Sequence, residues 1–301
     1  MRQVLQNYLE HICGAEFVEA NALLSEKTNF KIGGPAKFFV RVKSKAILIK
    51  LVSALKFIEE DFFIIGGGYN ILASDNGYDG VVIKCEFTEI LDNGSFVYAD
   101  AGAALGDVIN FAMEKNLSGL EWAIGIPGTV GGAVFMNAGA YGGEVKDVLV
   151  CVDVLIDGQV VNMNATQLNL SYRTSVFQKK SDWIIVGAYF YLRCGDGAKI
   201  KKKQDELFKK RLASQPYYEN SAGSTFRRPR PDFYVGTTIQ ELGLSGYTVG
   251  GAQISTKHAG FIVNNGNATA RDVKKLITHI KRQVYQSHGV RLKPEVILIG
   301  T

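Results

Sequence analysis

The run Phe62-Phe63-Ile64-Ile65-Gly66-Gly67-Gly68-Tyr69-Asn70 constrains this chain more than any other, because four apolar residues pass straight into three glycines. A short apolar run ended by turn residues reads as a buried strand. Glycines lack a Cβ, so the chain can turn sharply there and aim successive N–H groups at one anion. The segment is therefore either a phosphate nest or only the turn that ends a strand. Two common phosphate motifs are excluded. Ile71 stands where a dinucleotide fingerprint G-x-G-x-x-G needs its third glycine, and no Gly-Lys-Ser/Thr follows to make a P-loop.

A second glycine-rich run, Gly125-Ile126-Pro127-Gly128-Thr129-Val130-Gly131-Gly132-Ala133-Val134-Phe135-Met136-Asn137-Ala138-Gly139-Ala140-Tyr141-Gly142-Gly143, holds seven glycines in nineteen residues. Its small residues recur at helical spacing, and a helix starting near Thr129 would favour a pyrophosphate at its N-terminus. Tight packing of that helix on a sheet is the other reading. Two anion loops in one domain suggest a large phosphate-bearing cofactor, and they account for part of the glycine excess, 33 residues of 301.

Around these loops, Phe38–Val42, Phe62–Ile65, Val81–Ile83, Val148–Ile156 and Ile184–Leu192 read as strands, while residues 45–57 and 105–115 carry the helical period. The alternation predicts an α+β or α/β domain. Residues 1–26 read as an amphipathic helix and a connector. The last third opens on a charged helix over about 200–214 and closes on a strand over 296–299. Between them Ala270, Val273, Leu276, Ile277, Ile280 and Val284 share one helical face, with Thr269 and Asp272 as a capping pair and Gly289 as the stop.

With 34 basic and 29 acidic residues the formal charge is +5, which suits an anionic small molecule and excludes a nucleic-acid footprint. The densest basic run, Lys199 to Arg211, reads as a solvated helix face. Cys13, Cys85, Cys151 and Cys194 show no C-x-x-C spacing, so neither a zinc site nor a disulfide framework is expected, and reduced thiols in a cytoplasm fit best. The N-terminal residues do not form a signal peptide, and no window reaches the length of a membrane span.

Ser221-Ala222-Gly223-Ser224-Thr225-Phe226-Arg227-Arg228-Pro229 presents a serine on a glycine turn beside two arginines. By its chemistry Ser224 is a nucleophile, a phosphate ligand or a cap. No G-x-S-x-G elbow is present, and His258 cannot be paired with Ser224 from sequence. Read alone, Glu295 is a solvated edge residue, and Arg173 is a surface residue or salt-bridge partner.

Residues 28–36, the Gly66–Asn70 loop, the Gly125–Gly143 run and Ser171-Tyr172-Arg173, in that order, resemble the FAD-binding half of UDP-N-acetylenolpyruvoylglucosamine reductases. Residues 250–264 and 289–296 are similar to the C-terminal substrate domain of that family, so the resemblance spans nearly the whole chain. It implies an α+β fold: an FAD-binding domain of the vanillyl-alcohol-oxidase (PCMH) type in two subdomains, then a smaller α+β substrate-binding domain. The expected divisions are an N-terminal helix and connector over 1–27, the FAD-binding domain over 28–195 and the substrate domain over 196–301.

The resemblance further implies non-covalent FAD at Ile32, Gly33, Gly34, Gly66, Gly67, Gly68, Tyr69, Asn70, Ile71, Gly125, Ile126, Pro127, Gly128, Thr129, Gly131, Gly132, Asn137, Gly139 and Ala140. NADPH is the implied co-substrate and UDP-N-acetylglucosamine enolpyruvate the implied substrate, held by Tyr172, Arg173, Arg227, Arg228 and Gln253. Ser224 corresponds to the family's proton donor, Glu295 to its catalytic glutamate and Arg173 to its catalytic arginine. No metal, nucleic acid or membrane is expected, and the protein is expected to be a monomer.

Asn29, Tyr69-Asn70 and Lys293-Pro294 depart from the family's usual residues, and the chain resembles the shorter branch that lacks a tyrosine-bearing insertion. Arg227, Arg228 and the Lys201–Arg211 helix are the candidates for holding the UDP pyrophosphate. Two other readings stay open: an oxidase or dehydrogenase of the same fold, and a binding protein without turnover. Residues 12–257 contain no histidine, which excludes a histidyl-flavin link in either glycine loop.

Overall fold

Strand Phe62–Ile65 pairs in parallel with Tyr78–Cys85, placing Phe62 opposite Val81 and Ile65 opposite Lys84 in a computed structural model that describes residues 2–300. Parallel strands are covered on both faces, which is why Val81, Val82 and Ile83 read as a continuous apolar run, and all three are fully buried. The sheet has the order Val18–Leu23, Pro35–Val42, Tyr78–Cys85, Phe62–Ile65. Helix Lys45–Phe57 buries Leu48, Leu51, Val52 and Leu55, and its cap Ser44 accepts from Ile47 N at 3.3 Å.

The chain divides into two compact units, each made of separate segments. Unit 1 comprises residues up to 20, residues 38–67 and residues 80–210; unit 2 comprises residues 21–37, 68–79 and 211 onward. Residues 28–37 and 68–79, expected inside a stretch running to 195, thus group with the C-terminal part.

Unit 1 also holds a five-stranded antiparallel sheet in the order Gln159–Asn164, Leu149–Ile156, Ile184–Tyr191, Phe96–Asp100, Ile90–Asn93. Its apolar face and that of the parallel sheet feed one core, in which Val97, Val152, Val154 and Val186 are wholly buried. Each such side chain contributes about 1.5–3 kcal/mol relative to exposure. The fold is α+β, as expected.

In unit 2, strands Ser221–Ser224, Phe261–Asn264, Ala252–Ile254 and Thr248–Val249 form an antiparallel sheet. Helix Ala270–His288 packs on it through the six expected apolar residues, all of them buried. Thr269 and Asp272 form a reciprocal capping box, and Gly289 ends the helix at φ 67°. Strand Ile297–Ile299 pairs in parallel with Ile71–Ala73.

Two expectations need correction. The connector after the first helix, Arg2–Cys13, contains strand Val18–Leu23, whose Val18, Ala20 and Ala22 alternate with Glu19 and Asn21 over too short a run to be read as a strand. Strands Phe96–Asp100, Ile90–Asn93 and Gln159–Asn164 are not among the strands read from the sequence; the last two are the exposed edges of the sheet. The charged helix begins at Gly197, earlier than its period indicates, because Asp196 accepts from Ala198 N at 2.9 Å and Lys199 N at 3.3 Å. Among the described residues no helix is long and apolar enough to cross a membrane.

Candidate active site

Within unit 1 the start of the first glycine run meets the second at Gly66 and Thr129: a Cβ on Gly66 would lie 2.6 Å from Thr129 Oγ1. Thr129 caps helix Val130–Phe135 and accepts from Gly132 N at 3.3 Å. The next two amides are already committed, since Val130 N donates to Ala103 O and Gly131 N to Ala101 O, both at 2.9 Å. Those two amides at the helix terminus are thus already paired within the protein. Among the described residues the N–H groups of Gly67, Gly128 and Thr129 meet no protein acceptor. A Gly66 approach that excludes a side chain, together with unsatisfied amides on touching loops, is a donor set that fits a phosphate-bearing group such as FAD. Gly131 follows the packing reading instead, with its would-be Cβ 3.1 Å from that of Ala101.

Past the helix the chain makes a hairpin, Gly139–Ala140 against Gly143–Glu144. Its two turn residues, Tyr141 and Gly142, have φ 51° and 87°, as a two-residue hairpin of this hand requires. Trp122 lies under Gly143, leaving no room for a Cβ there. Buried Glu121 anchors the approach to the first loop residues Gly125, Ile126 and Pro127: it accepts from Ser118 Oγ at 2.6 Å and Gly119 N at 3.1 Å, with Lys203 Nζ at 3.7 Å. Burial pushes its carboxyl up, but those hydrogen bonds and the lysine outweigh it and hold it below the usual range.

Asn137 is fully buried, and its side chain is spent inside the protein. Nδ2 donates to Glu144 Oε2 at 2.8 Å and Ser171 O at 3.0 Å, while Oδ1 accepts from Lys146 N at 2.9 Å. It ties the Arg173 loop to the glycine segment, and its side-chain polar atoms already have protein partners. Ser171 and Thr174 close a tight turn on each other, with Arg173 at φ 54° between them. The Arg173 guanidinium donates to Gly139 O at 2.9 Å and lies 5.3 Å from the ring of exposed Tyr172.

In unit 2, Gly223 at φ 78° bulges the strand Ser221–Ser224 and presents Ser224 at its exposed end. Thr225 N donates to Gly260 O at 2.9 Å, and Glu295 N donates to Thr225 O at 2.8 Å. Arg227 N donates to Lys293 O at 3.0 Å, with Phe226 bridged to Pro294. Ser224 and half-buried Glu295, far apart in sequence, are thus carried on adjoining backbone. Asn70 joins them, with Nδ2 donating to Glu295 O at 3.2 Å and its carbonyl accepting from Ile297 N at 3.0 Å.

Other expected residues of unit 2 fall on the same loops. Gly68 must be glycine, with φ 73° and a would-be Cβ 2.5 Å from Lys27 O, and its carbonyl accepts from Asn29 N at 3.0 Å. Gly33 and Gly34 pack against the Ala73–Gly77 segment beside buried Ile32, and Ile71 is buried in its strand. Tyr69 is exposed. Asn29, one of the departures, donates through Nδ2 to Ser221 O at 2.9 Å. Arg228 donates to Pro231 O at 3.3 Å and stacks 4.5 Å over Tyr234, while Gln253 donates to Gly246 O and Thr248 Oγ1 at 3.2 and 3.1 Å. His258 is kept neutral: burial lowers its pKa, and its Nδ1 accepts from Gly260 N at 3.1 Å.

Comparison with known proteins identifies the family. The profile of the UDP-N-acetylenolpyruvoylglucosamine reductase C-terminal domain matches residues 215–299, and that of an FAD binding domain matches residues 36–170. The UDP-N-acetylenolpyruvoylglucosamine reductase of Caldanaerobacter subterraneus subsp. tengcongensis is 42% identical over 302 residues, covering 100% of this chain and 99% of that protein. One from Clostridium botulinum is 43% identical over 285 residues, 94% of this chain and 93% of its own. The crystal structure of UDP-N-acetylenolpyruvylglucosamine reductase from Thermus caldophilus superposes with a TM-score of 0.82 at 31% identity, covering 94% of this chain and 100% of that one. By sequence over its whole length, and by the fold that carries its glycine loops, this chain belongs to the UDP-N-acetylenolpyruvoylglucosamine reductase family.

Proposed function

We propose that Ser224, Glu295 and Arg173 carry the chemistry by which this chain reduces UDP-N-acetylglucosamine enolpyruvate to UDP-N-acetylmuramate, with NADPH as reductant, in peptidoglycan precursor synthesis. Bound FAD supplies the hydride relay from NADPH to the terminal vinyl carbon of the enolpyruvyl group. The chain's own task is to manage the charge that results on the neighbouring carbon and its carboxylate. The planar fork of Arg173 pairs with that carboxylate. Glu295 donates a hydrogen bond from its protonated form or orients a water, and Ser224 delivers to the neighbouring carbon the proton that completes reduction.

The observation that carries this reading is the 2.8 Å bond from Glu295 N to Thr225 O, which sets the proposed acid and the proposed glutamate on adjoining backbone. The Ser224 hydroxyl, at an exposed strand end, has no hydrogen-bond partner among the described residues and is free to meet a ligand. In functional terms residues 28–195 carry the cofactor and 196–301 the substrate, with Arg227 and Arg228 as partners of the UDP pyrophosphate. The protein acts as a cytoplasmic monomer. The test is anaerobic absorbance of the yellow holoenzyme: NADPH bleaches the flavin band, and UDP-N-acetylglucosamine enolpyruvate restores it. Recovery only on admitting oxygen would overturn the substrate, and a protein without flavin would overturn the cofactor.

A further inference from the structure

Gln178 closes the loop that carries Arg173. Its Nε2 donates to Arg173 O at 3.0 Å and to Phe135 O at 3.2 Å, and lies 3.7 Å from Met136 Sδ. Phe135 is the last residue of the helix headed by Thr129, and its carbonyl also accepts from Ser175 Oγ at 2.6 Å. Two residues further on, Asn137 holds the other side of the same turn through Ser171 O at 3.0 Å. The loop is thereby fastened on both flanks to the far end of the helix whose cap touches Gly66.

Such fastening is needed. Arg173 sits at φ 54°, a conformation that a residue with a Cβ keeps only when its surroundings enforce it. Its guanidinium donates to Gly139 O at 2.9 Å, and Gly139 is itself pinned in the hairpin, where a Cβ would stand 2.7 Å from Gly143 O. The direction of the guanidinium is therefore set by a strained backbone whose own carbonyl is held by Gln178.

We propose that Gln178 is a positioning residue for the reduction of the enolpyruvyl group: it fixes the backbone of Arg173, with Asn137 as its partner on the other flank, so that the guanidinium is aimed before the carboxylate arrives. This rests on the reading of Arg173 as the carboxylate's partner. Gln178 touches neither substrate nor cofactor in this role, and its effect passes through Arg173 alone. Replacing its amide by a hydrocarbon of similar size takes from Arg173 O the donor that Gln178 supplies, leaves Ser175 Oγ on Phe135 O, and lets the turn relax.

The test is a double-mutant cycle on holoenzyme, read by anaerobic stopped flow on each half-reaction. Gln178→Leu is expected to slow flavin reoxidation by the enolpyruvyl substrate about tenfold or more, while flavin reduction by NADPH stays within about twofold. In an Arg173→Met background the same substitution should add less than about twofold, because the group it positions is gone. Losses that multiply in the double variant, an equal loss in both half-reactions, or an unchanged Gln178→Leu would each overturn the proposal. If Gln178→Leu does not retain flavin, Gln178→Asn, one methylene short of Phe135 O, replaces it in the same cycle under the same criteria. An Arg173→Met enzyme reoxidised at the full rate would instead sink the assignment of Arg173, a result distinct from multiplicative losses.

Discussion

The amide of Glu295 donates to the carbonyl of Thr225 at 2.8 Å, so the residue next to Ser224 is tied to the backbone of the glutamate, not to its carboxyl. The two side chains can therefore be altered without cutting the tie. Ser224→Ala should slow flavin reoxidation by about 100-fold or more and leave reduction by NADPH intact. Glu295→Gln should also slow reoxidation while stability in urea changes by less than about 0.5 kcal/mol. Stopped-flow absorbance and a urea melt check both, and equal reoxidation rates in Ser224→Ala and the parent would end its role as acid.

Gly66→Ala places a methyl group 2.6 Å from Thr129 Oγ1 and must push the two glycine loops apart. A loss of about 1–3 kcal/mol is expected, with weakened flavin retention measured by absorbance after gel filtration. Gly106, in helix Leu105–Glu114 with nothing within 4 Å of its would-be Cβ, is the control. Gly106→Ala should stabilise by up to about 1 kcal/mol and leave flavin content unchanged.

Three of the four thiols should separate by reactivity. Burial pushes Cys13 up to about 11, and burial with the nearby Asp100 carboxylate pushes Cys85 up to about 12, whereas Cys194 is exposed. Maleimide near neutral pH should label Cys194 in the native protein and reach Cys13 and Cys85 only after denaturation. A thiol whose folded pKa is raised binds more protons when folded, so stability is complete below the ordinary value of 9.0 and falls as pH climbs from there toward 11 and 12.

His258 gives the opposite sign. Burial lowers its pKa below the ordinary 6.5, so the unfolded chain takes up the proton first. Its contribution is complete above pH 6.5 and is lost as pH falls through the folded value. Protonation also ends the acceptance at Nδ1 from Gly260 N, and Gly260 O is the partner of Thr225 N. Urea midpoints between pH 7 and pH 5 should fall less steeply in His258→Asn than in the parent.

What was legible in the sequence follows from how locally each feature is determined. Helix Ala270–His288 could be read to its caps, because the face, the Thr269–Asp272 pair and the Gly289 stop all lie within the element. The glycine loops were legible as loops, and their resemblance ordered them. The committed amides of Val130 and Gly131 were not, because their acceptors, Ala103 and Ala101, lie on a separate segment. Gln178 was missed for the same reason: nothing in Val176-Phe177-Gln178 marks it, and its importance arises only where Phe135 and Arg173 come within reach. Asn137 was singled out for the cofactor, whereas its polar atoms are consumed by Glu144, Ser171 and Lys146.

The parallel pairing of Ile297–Ile299 with Ile71–Ala73 also sets an order of events during synthesis. Asn70, at the end of the first glycine run, finds Glu295 O and Ile297 N only after more than two hundred further residues have been made. A nascent chain can assemble much of unit 1 while this segment waits without its strand partner. Contacts of such long separation are slow to close. The Asn70 end of the loop can thus be set only once residues 295–297 have been made, and a chain cut just before residue 295 would carry every residue of the glycine runs yet leave that end unanchored.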